Sequence, residues 1–260
     1  MGPPPADHQG YSGDMTTLLL LPGLLCDASV WRDQARTLGA AVDVRIADFS
    51  HHDSIAAMAD AALAMAEGPV AVAGHSMGAR VAMEMWRKAP ERIERLALLD
   101  TGTHPPQPGE REKRMELVEL AREKGMAALA DRWLPPMVRA GAEADAALMG
   151  PLREMVMRAD PERFARQQNA LLGRRNAAPV LPTITVPTLI GVGREDRWSP
   201  PVQHEAMARE IPGATFAVFE RSGHMSTVEN PAAVTAALSD WMKADWNPAR
   251  GAAADRMVEA

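Results

Sequence analysis

The most informative segment of the sequence is Pro69-Val70-Ala71-Val72-Ala73-Gly74-His75-Ser76-Met77-Gly78. Its first half is an apolar run typical of a buried strand, and a helical pattern follows it over residues 79–88. Between the two, Gly-x-Ser-x-Gly is the pattern of a tight strand-to-helix turn that pushes a serine forward at the end of a sheet. The segment therefore predicts a strand, a sharp turn that carries Ser76, and a helix.

The same alternation of strand and helix patterns extends to both sides of this segment. Short runs rich in Val, Ile and Leu that alternate with helical patterns are typical of a parallel sheet covered by helices. The strands are predicted at residues 17–21, 42–47, 69–73, 95–99, 188–192 and 215–219. The helices between them include residues 54–66, 77–88, 201–210 and 232–243. These patterns predict an α/β fold with a mostly parallel sheet of about six strands, flanked by helices.

Residues 104–182 interrupt the alternation, because they carry helical patterns and no convincing strand. Residues 110–123 are charged and amphipathic, and Asp160-Pro161 supplies an N-cap followed by proline at the first helical position. Proline-rich joints bound the region at 105–108 and 179–187. We expect an inserted helical cap at 104–182, a core formed by 15–103 and 183–243, a flexible N-terminal arm at 1–14 and a C-terminal tail at 244–260.

The composition excludes several classes of protein. The chain has 260 residues, of which 47% are hydrophobic, and this is enough to bury one substantial core. Its net charge of -6 disfavours nucleic-acid and anionic-membrane partners, because such surfaces need clustered positive charge. The single cysteine, Cys26, is compatible with a reducing compartment, and the apolar stretch 18–25 is too short to span a bilayer. The N-terminus lacks a signal-peptide pattern. We therefore expect a cytoplasmic protein with no nucleic-acid or membrane partner.

Polar residues with catalytic potential follow two further strands. Asp196 comes shortly after the fifth predicted strand, and His224 comes shortly after the sixth. A serine becomes a nucleophile when a histidine removes its proton and a carboxylate orients that histidine. Because the carboxyl ends of parallel strands meet along one edge of a sheet, we expect Ser76, Asp196 and His224 to lie together.

Several motifs occur in a fixed order along the chain. They are Leu19-Leu20-Leu21-Pro22-Gly23, Gly74-His75-Ser76-Met77-Gly78, Gly193-Arg194-Glu195-Asp196, Ile211-Pro212-Gly213-Ala214 and Gly223-His224. With these motifs the chain resembles the α/β-hydrolase superfamily, in its capped esterase, lactonase and perhydrolase-like branch, over about residues 16–243. The resemblance implies Ser76 as nucleophile, His224 as general base and then acid, and Asp196 as the orienting acid, with no cofactor or metal. Glu195 beside Asp196 is an alternative acid, as is Asp100, because some family members supply the acid from that position.

The resemblance also implies an oxyanion hole, formed by the backbone N–H groups of Leu24 and Met77. Pro22-Gly23 departs from the family, since many relatives have His-Gly there and use the histidine side chain to support this loop. Position along the chain further suggests residues that could form the wall of a substrate pocket. These are Leu24, Leu25, His104, Trp133, Trp198 and Met225.

Three other features have plainer interpretations. The pair His51-His52 beside Asp53 lacks a third ligand at metal-site spacing, which favours an ordinary loop. Cys26 has no strand-to-helix turn to expose it, which favours a buried thiol. His75 is interpreted as a packed residue at a strand end, with contact to substrate as the alternative.

The sequence thus predicts a serine hydrolase that cleaves a small or medium carboxylic ester through an acyl-enzyme intermediate. The same three residues would also serve a lactonase, a perhydrolase or haloperoxidase, a thioesterase, or a carbon–carbon bond hydrolase. Relatives of the last kind often have Trp after the histidine, and Met225 stands there in this chain. A non-catalytic ligand receptor on the same scaffold is the alternative from another class, because a fold does not fix a function. The sequence leaves the natural substrate and the oligomeric state open.

Overall fold

A computed structural model describes residues 16–245 and contains one six-stranded sheet. The strands are β1 (Thr17–Leu21), β2 (Asp43–Ile46), β3 (Val70–His75), β4 (Ile93–Leu99), β5 (Thr188–Gly193) and β6 (Thr215–Phe219). Their order in the sheet is β2-β1-β3-β4-β5-β6, and every neighbouring pair is parallel. The predicted α/β fold with about six parallel strands is confirmed.

Helices connect and follow these strands, and some of them pack against the sheet. They are α1 (Arg32–Leu38), α2 (Ile55–Leu63), α3 (Met77–Lys88), α4 (Glu110–Trp133), α5 (Ala146–Met157), α6 (Pro161–Leu172), α7 (Pro201–Glu210), α8 (Ser226–Glu229) and α9 (Pro231–Lys243). Helix α3 packs against β3 and β4, and α9 packs against β5. All residues of β3 and β5 are buried, which explains why these strands consist of continuous apolar runs.

The chain between β4 and β5 is helical, with α4, α5 and α6 and no strand within the part of the chain that the structure describes. Helix α4 continues beyond the predicted end at residue 123, across a kink at Gly125, where φ is +80°. Only glycine adopts this backbone conformation without strain. The division into core and cap remains a prediction. The predicted arm at 1–14 lies outside the described residues, as does the predicted tail apart from residues 244–245.

The topology brings four loops to one edge of the sheet. Strand β3 ends directly before Ser76, and β4 ends directly before Asp100. The loops after β5 and β6 carry Asp196 and His224. Open parallel sheets form crevices at the carboxyl ends of their strands, so this edge is where a site is expected. Among residues 16–245, no helix has the length and apolar character needed to cross a membrane.

Candidate active site

Ser76 occupies a strained turn between β3 and α3. Its φ is +55° and its ψ is -113°, an uncommon conformation for a residue that has a side chain. Its backbone N–H donates to the carbonyl oxygen of Leu99 at 2.9 Å, so β4 holds the turn in place. Close packing explains the two glycines of the motif. A Cβ at Gly74 would overlap the backbone of Gly78, and a Cβ at Gly78 would overlap the carbonyl oxygen of Leu21.

A continuous chain of hydrogen bonds joins Ser76, His224 and Asp196. The hydroxyl of Ser76 lies 2.8 Å from Nε2 of His224, and Nδ1 of His224 lies 2.8 Å from Oδ2 of Asp196. The other carboxylate oxygen of Asp196 accepts the backbone N–H groups of Trp198 at 2.8 Å and Ser199 at 2.9 Å. Asp196 and His224 are both buried, so water competes little for these bonds. The structure therefore brings the three predicted residues together in the order that nucleophile activation requires.

Asp100 and Glu195, the alternative acids, make no hydrogen bond to His224, whose Nδ1 pairs with Asp196. The carboxyl group of Asp100 accepts the N–H of Gly193 at 2.8 Å and the hydroxyl of Ser226. It is fully buried, and burial together with the nearby Asp196 carboxylate raises the pKa of Asp100 well above its ordinary value. Glu195 is exposed at the surface. Asp100 thus has the position of a structural acid that ties the end of β5 to the start of α8.

The charges around His224 support its use as a base. Burial alone would lower the pKa of its imidazole, but the Asp196 carboxylate outweighs burial and raises that pKa above the ordinary value. For Asp196, burial alone would raise the pKa, whereas His224 and the hydrogen bonds that the carboxylate accepts lower it. An ionised Asp196 therefore faces an imidazole whose proton affinity it increases.

Two polar residues that the sequence analysis did not assign to the site hold the His224 loop. His75 lies at the end of β3, and its Nε2 is 2.7 Å from the carbonyl oxygen of His224. Burial lowers the pKa of His75 to about 4, so its ring is neutral and donates this bond from Nε2–H. Glu229 accepts the N–H of Gly223 and the N–H of Arg139, each at 2.8 Å. Glu229 thereby connects the His224 loop to the segment that follows α4.

The loop after β1 has an unusual conformation, and α6 holds it. Leu25 has a φ of +59°, and its N–H donates to Oε1 of Gln167 at 2.8 Å. The prediction that Leu25 lines the pocket is wrong, because its side chain is fully buried in the hydrophobic core and lies outside the cavity wall. Leu24 and Met77 do line the cavity, and neither backbone N–H donates a hydrogen bond elsewhere within residues 16–245.

A cavity of about 290 Å³ opens over Ser76 and His224. Besides Leu24, four other residues predicted from their position line it, namely His104, Trp133, Trp198 and Met225. Trp198 is the most exposed of them, with 48% of its surface accessible. The wall also contains basic residues that the sequence analysis did not single out, on α3, on α4 and after α6. These are Arg80, Lys113, Arg114 and Arg174.

Two further sequence features concern Cys26 and a possible metal site. Cys26 lines the cavity, but burial raises the pKa of its thiol to about 12, so the thiol is protonated and a poor nucleophile. Within residues 16–245, no group of three or more His, Cys, Asp or Glu side chains is arranged to hold a metal ion.

Comparison with known proteins places the chain in a family. The model of the alpha/beta hydrolase family matches residues 18–238. A 2-hydroxy-6-oxononadienedioate/2-hydroxy-6-oxononatrienedioate hydrolase from a Pseudomonas species is 33% identical over 165 residues, which are 60% of this chain and 57% of that hydrolase. The chain thus spans little more than half the length of this curated relative.

Two solved structures resemble the chain over nearly its whole length. A thermophilic esterase from Thermogutta terrifontis, solved with malate bound, has a TM-score of 0.81 and 28% identity, over 89% of this chain and 91% of the esterase. The enol-lactonase from Burkholderia xenovorans LB400 has a TM-score of 0.80 and 25% identity, over 90% of this chain and 94% of the lactonase.

Proposed function

The chain belongs to the alpha/beta hydrolase family, and from this membership we propose that it is a serine hydrolase that cleaves a carboxylic ester. The observation that carries the proposal is the hydrogen-bonded chain from Ser76 through His224 to Asp196, with both links at 2.8 Å. Similarity to an esterase and to an enol-lactonase supports the same chemistry, since a lactone is a cyclic ester.

In the proposed first half-reaction, Ser76 Oγ attacks the carbonyl carbon while its proton passes to Nε2 of His224. The carbonyl oxygen becomes negative, and the N–H groups of Leu24 and Met77 stabilise it; one such donor is commonly worth about 3 kcal/mol. The intermediate then expels the alcohol oxygen, which takes the proton from His224. An acyl group remains bound to Ser76, and a neutral alcohol leaves.

In the second half-reaction, a water molecule attacks the acyl carbon and gives a proton to His224. The carbon–oxygen bond to Ser76 breaks, Ser76 recovers its proton from His224, and the carboxylic acid leaves. Asp196 stays ionised throughout, because its function is to orient the imidazole and to stabilise the imidazolium that forms twice in each cycle.

Labelling with a fluorophosphonate tests the proposal directly. We expect the probe to modify the wild-type protein and not Ser76→Ala, and we expect p-nitrophenyl esters from acetate to octanoate to be hydrolysed only by the wild type. Ser239→Ala on α9 is the matched control and is expected to label normally. Folded wild-type protein that neither labels nor hydrolyses any ester or lactone would favour a ligand receptor on a hydrolase scaffold.

The pH dependence of kcat/KM provides a second test. His224 accepts a proton only when its imidazole is neutral, so activity is expected to be low in acid and to rise through the pKa of His224. Because Asp196 raises that pKa, the midpoint of the rise is expected above about 6.5, the ordinary value for histidine. Stopped assays across the pH range measure the midpoint, and a midpoint well below that value would contradict the proposed pairing.

A further inference from the structure

The cavity beside Ser76 is strongly basic, although the chain as a whole carries a net charge of -6. Its wall contains three arginines and Lys113, whereas Glu110 and Asp100 are the carboxyl groups among its lining residues. The four basic side chains outnumber these two carboxyl groups even when both are counted as ionised. The cavity therefore has more positive than negative charge at neutral pH.

Glu110 pairs with two of the arginines through a single carboxylate, which balances only one of their two positive charges. Its Oε1 accepts Nε of Arg114 at 2.7 Å and Nη1 of Arg174 at 2.6 Å, and its Oε2 accepts Nη2 of Arg174 at 2.7 Å. Arg174 also donates to the carbonyl oxygens of His104 and Pro105 at 3.2 Å. These contacts hold the side chains of Arg114 and Arg174 in place. They also leave Glu110 paired with these two arginines.

Arg80 is left without a carboxylate partner within residues 16–245. Its Nη1 donates to the carbonyl oxygen of His104 at 3.0 Å, and its Nε and Nη2 have no acceptor in this part of the chain. Burial and the neighbouring Arg174 and Arg114 lower the pKa of Arg80 to about 9, so it still carries a charge at neutral pH. Arg80 is partly buried and lines the cavity, and a guanidinium that has lost part of its hydration and lacks a counter-ion is stabilised by an anionic ligand.

Arg80 is also close to the proposed nucleophile. Its backbone N–H donates to the carbonyl oxygen of Ser76 at 3.4 Å, so Arg80 lies one helical turn after Ser76, about 6 Å along the axis of α3. An anion held by Arg80 can therefore belong to the same small molecule whose carbonyl carbon lies at Ser76. A carboxylate suits the free edge of Arg80, because its two oxygens match the parallel Nε–H and Nη2–H donors.

We propose that Arg80, supported by Arg114 and Lys113, forms a binding subsite for a carboxylate carried by the ester substrate. The preferred substrate is thus an anionic ester, either a half-ester of a dicarboxylic acid or an ester whose alcohol part bears the carboxylate. This inference rests on the proposed function, since it assumes that Ser76 attacks an ester in the same cavity.

Matched substrates that differ only in charge test the subsite. For the acyl side, mono-p-nitrophenyl adipate is compared with the p-nitrophenyl ester of adipic acid monoamide. For the alcohol side, 4-acetoxybenzoate is compared with 4-acetoxybenzamide. We expect wild-type kcat/KM to be about 10- to 100-fold higher for the charged member of at least one pair, the range expected for a charged hydrogen-bonded contact. That ratio is expected to fall toward one in Arg80→Gln and to recover partly in Arg80→Lys.

Arg122→Gln is the matched control, because Arg122 lies on α4 with an exposed side chain that pairs with Glu119 and Glu162. Its charge ratio is expected to equal that of the wild type. Raising the salt concentration from about 20 mM to about 500 mM is expected to lower the ratio in the wild type, which tests the subsite even if Arg80→Gln fails to fold. A ratio near one for both pairs, or one that persists in folded Arg80→Gln, overturns the proposal.

Binding to Ser76→Ala separates this inference from the proposed hydrolysis. By titration calorimetry, adipic acid monoamide is expected to bind Ser76→Ala at least about 10-fold more tightly than adipamide, and the difference is expected to disappear when Arg80→Gln is added. Hydrolysis of neutral esters without any preference for anions in binding or turnover would overturn the proposed subsite and still support the proposed hydrolase. Anion binding that depends on Arg80, in a protein that cleaves no ester, would overturn the proposed hydrolase and still support the anion subsite.

Discussion

Asp196→Asn is expected to lower kcat for ester hydrolysis by about four orders of magnitude, whereas Asp100→Asn is expected to lower it less than about 100-fold. In the wild type, the N–H groups of Trp198 and Ser199 donate to one carboxylate oxygen of Asp196. In the asparagine variant, we expect the amide oxygen to take that position and accept the same two hydrogen bonds. The amide NH2 then faces Nδ1 of His224. This stabilises the tautomer with the proton on Nε2, which cannot accept the proton of Ser76.

Asp100→Asn is the matched comparison, because both carboxyl groups are buried beside the same loops. The raised pKa of Asp100 favours its neutral form, and an amide resembles a neutral acid in having one acceptor oxygen and a donor. Steady-state kinetics with p-nitrophenyl esters measure both effects, and thermal unfolding shows whether each variant is folded. A larger loss in Asp100→Asn would reverse the assignment of the acid.

The sheet could be predicted from sequence because buried parallel strands are continuous apolar runs. The ends of β1 and β6 fall where the pattern predicts, whereas β3 continues two residues further than predicted. Gly74 and His75 still pair with Leu98 and Leu99 of β4, although they belong to the turn motif. The extent of α4 was not predictable either, because a glycine at positive φ usually ends a helix and Gly125 only kinks this one.

The predicted catalytic residues could be located because strand ends in a parallel sheet meet at one edge, however far apart they are in sequence. The wall of the cavity depends instead on contacts that no local pattern encodes. Leu25 turns away from the cavity because α6 supplies Gln167, 142 residues later. In the sequence, Arg174 resembles an ordinary cation near the end of a helix. Its partner Glu110 lies 64 residues earlier, so no local pattern predicts their ion pair.

Gly78→Val is expected to abolish activity, with a loss of more than about 1,000-fold, because the motif depends on close contact between α3 and β1. A Cβ at this position would overlap the carbonyl oxygen of Leu21 and approach that of Pro22, both of which are backbone atoms that cannot move without shifting β1 or the loop after it. That loop carries Leu24, one of the two proposed oxyanion donors. Overpacking of this kind also destabilises a fold by about 1–3 kcal/mol, and valine adds two methyl groups to the overlap.

Gly173→Ala after α6 is the matched control, since the nearest atom to a Cβ there is the carbonyl oxygen of Asn169 at an ordinary 3.5 Å. We expect this variant to keep wild-type turnover and thermal stability. Gly78→Ala, which adds only the Cβ, is expected to lie between the two. Circular dichroism, thermal unfolding and fluorophosphonate labelling of Ser76 separate a damaged turn from an unfolded chain. A folded Gly78→Val protein with normal turnover would mean that Ser76 does not act from this turn, because the backbone of β1 leaves no space for the added side chain unless the turn moves.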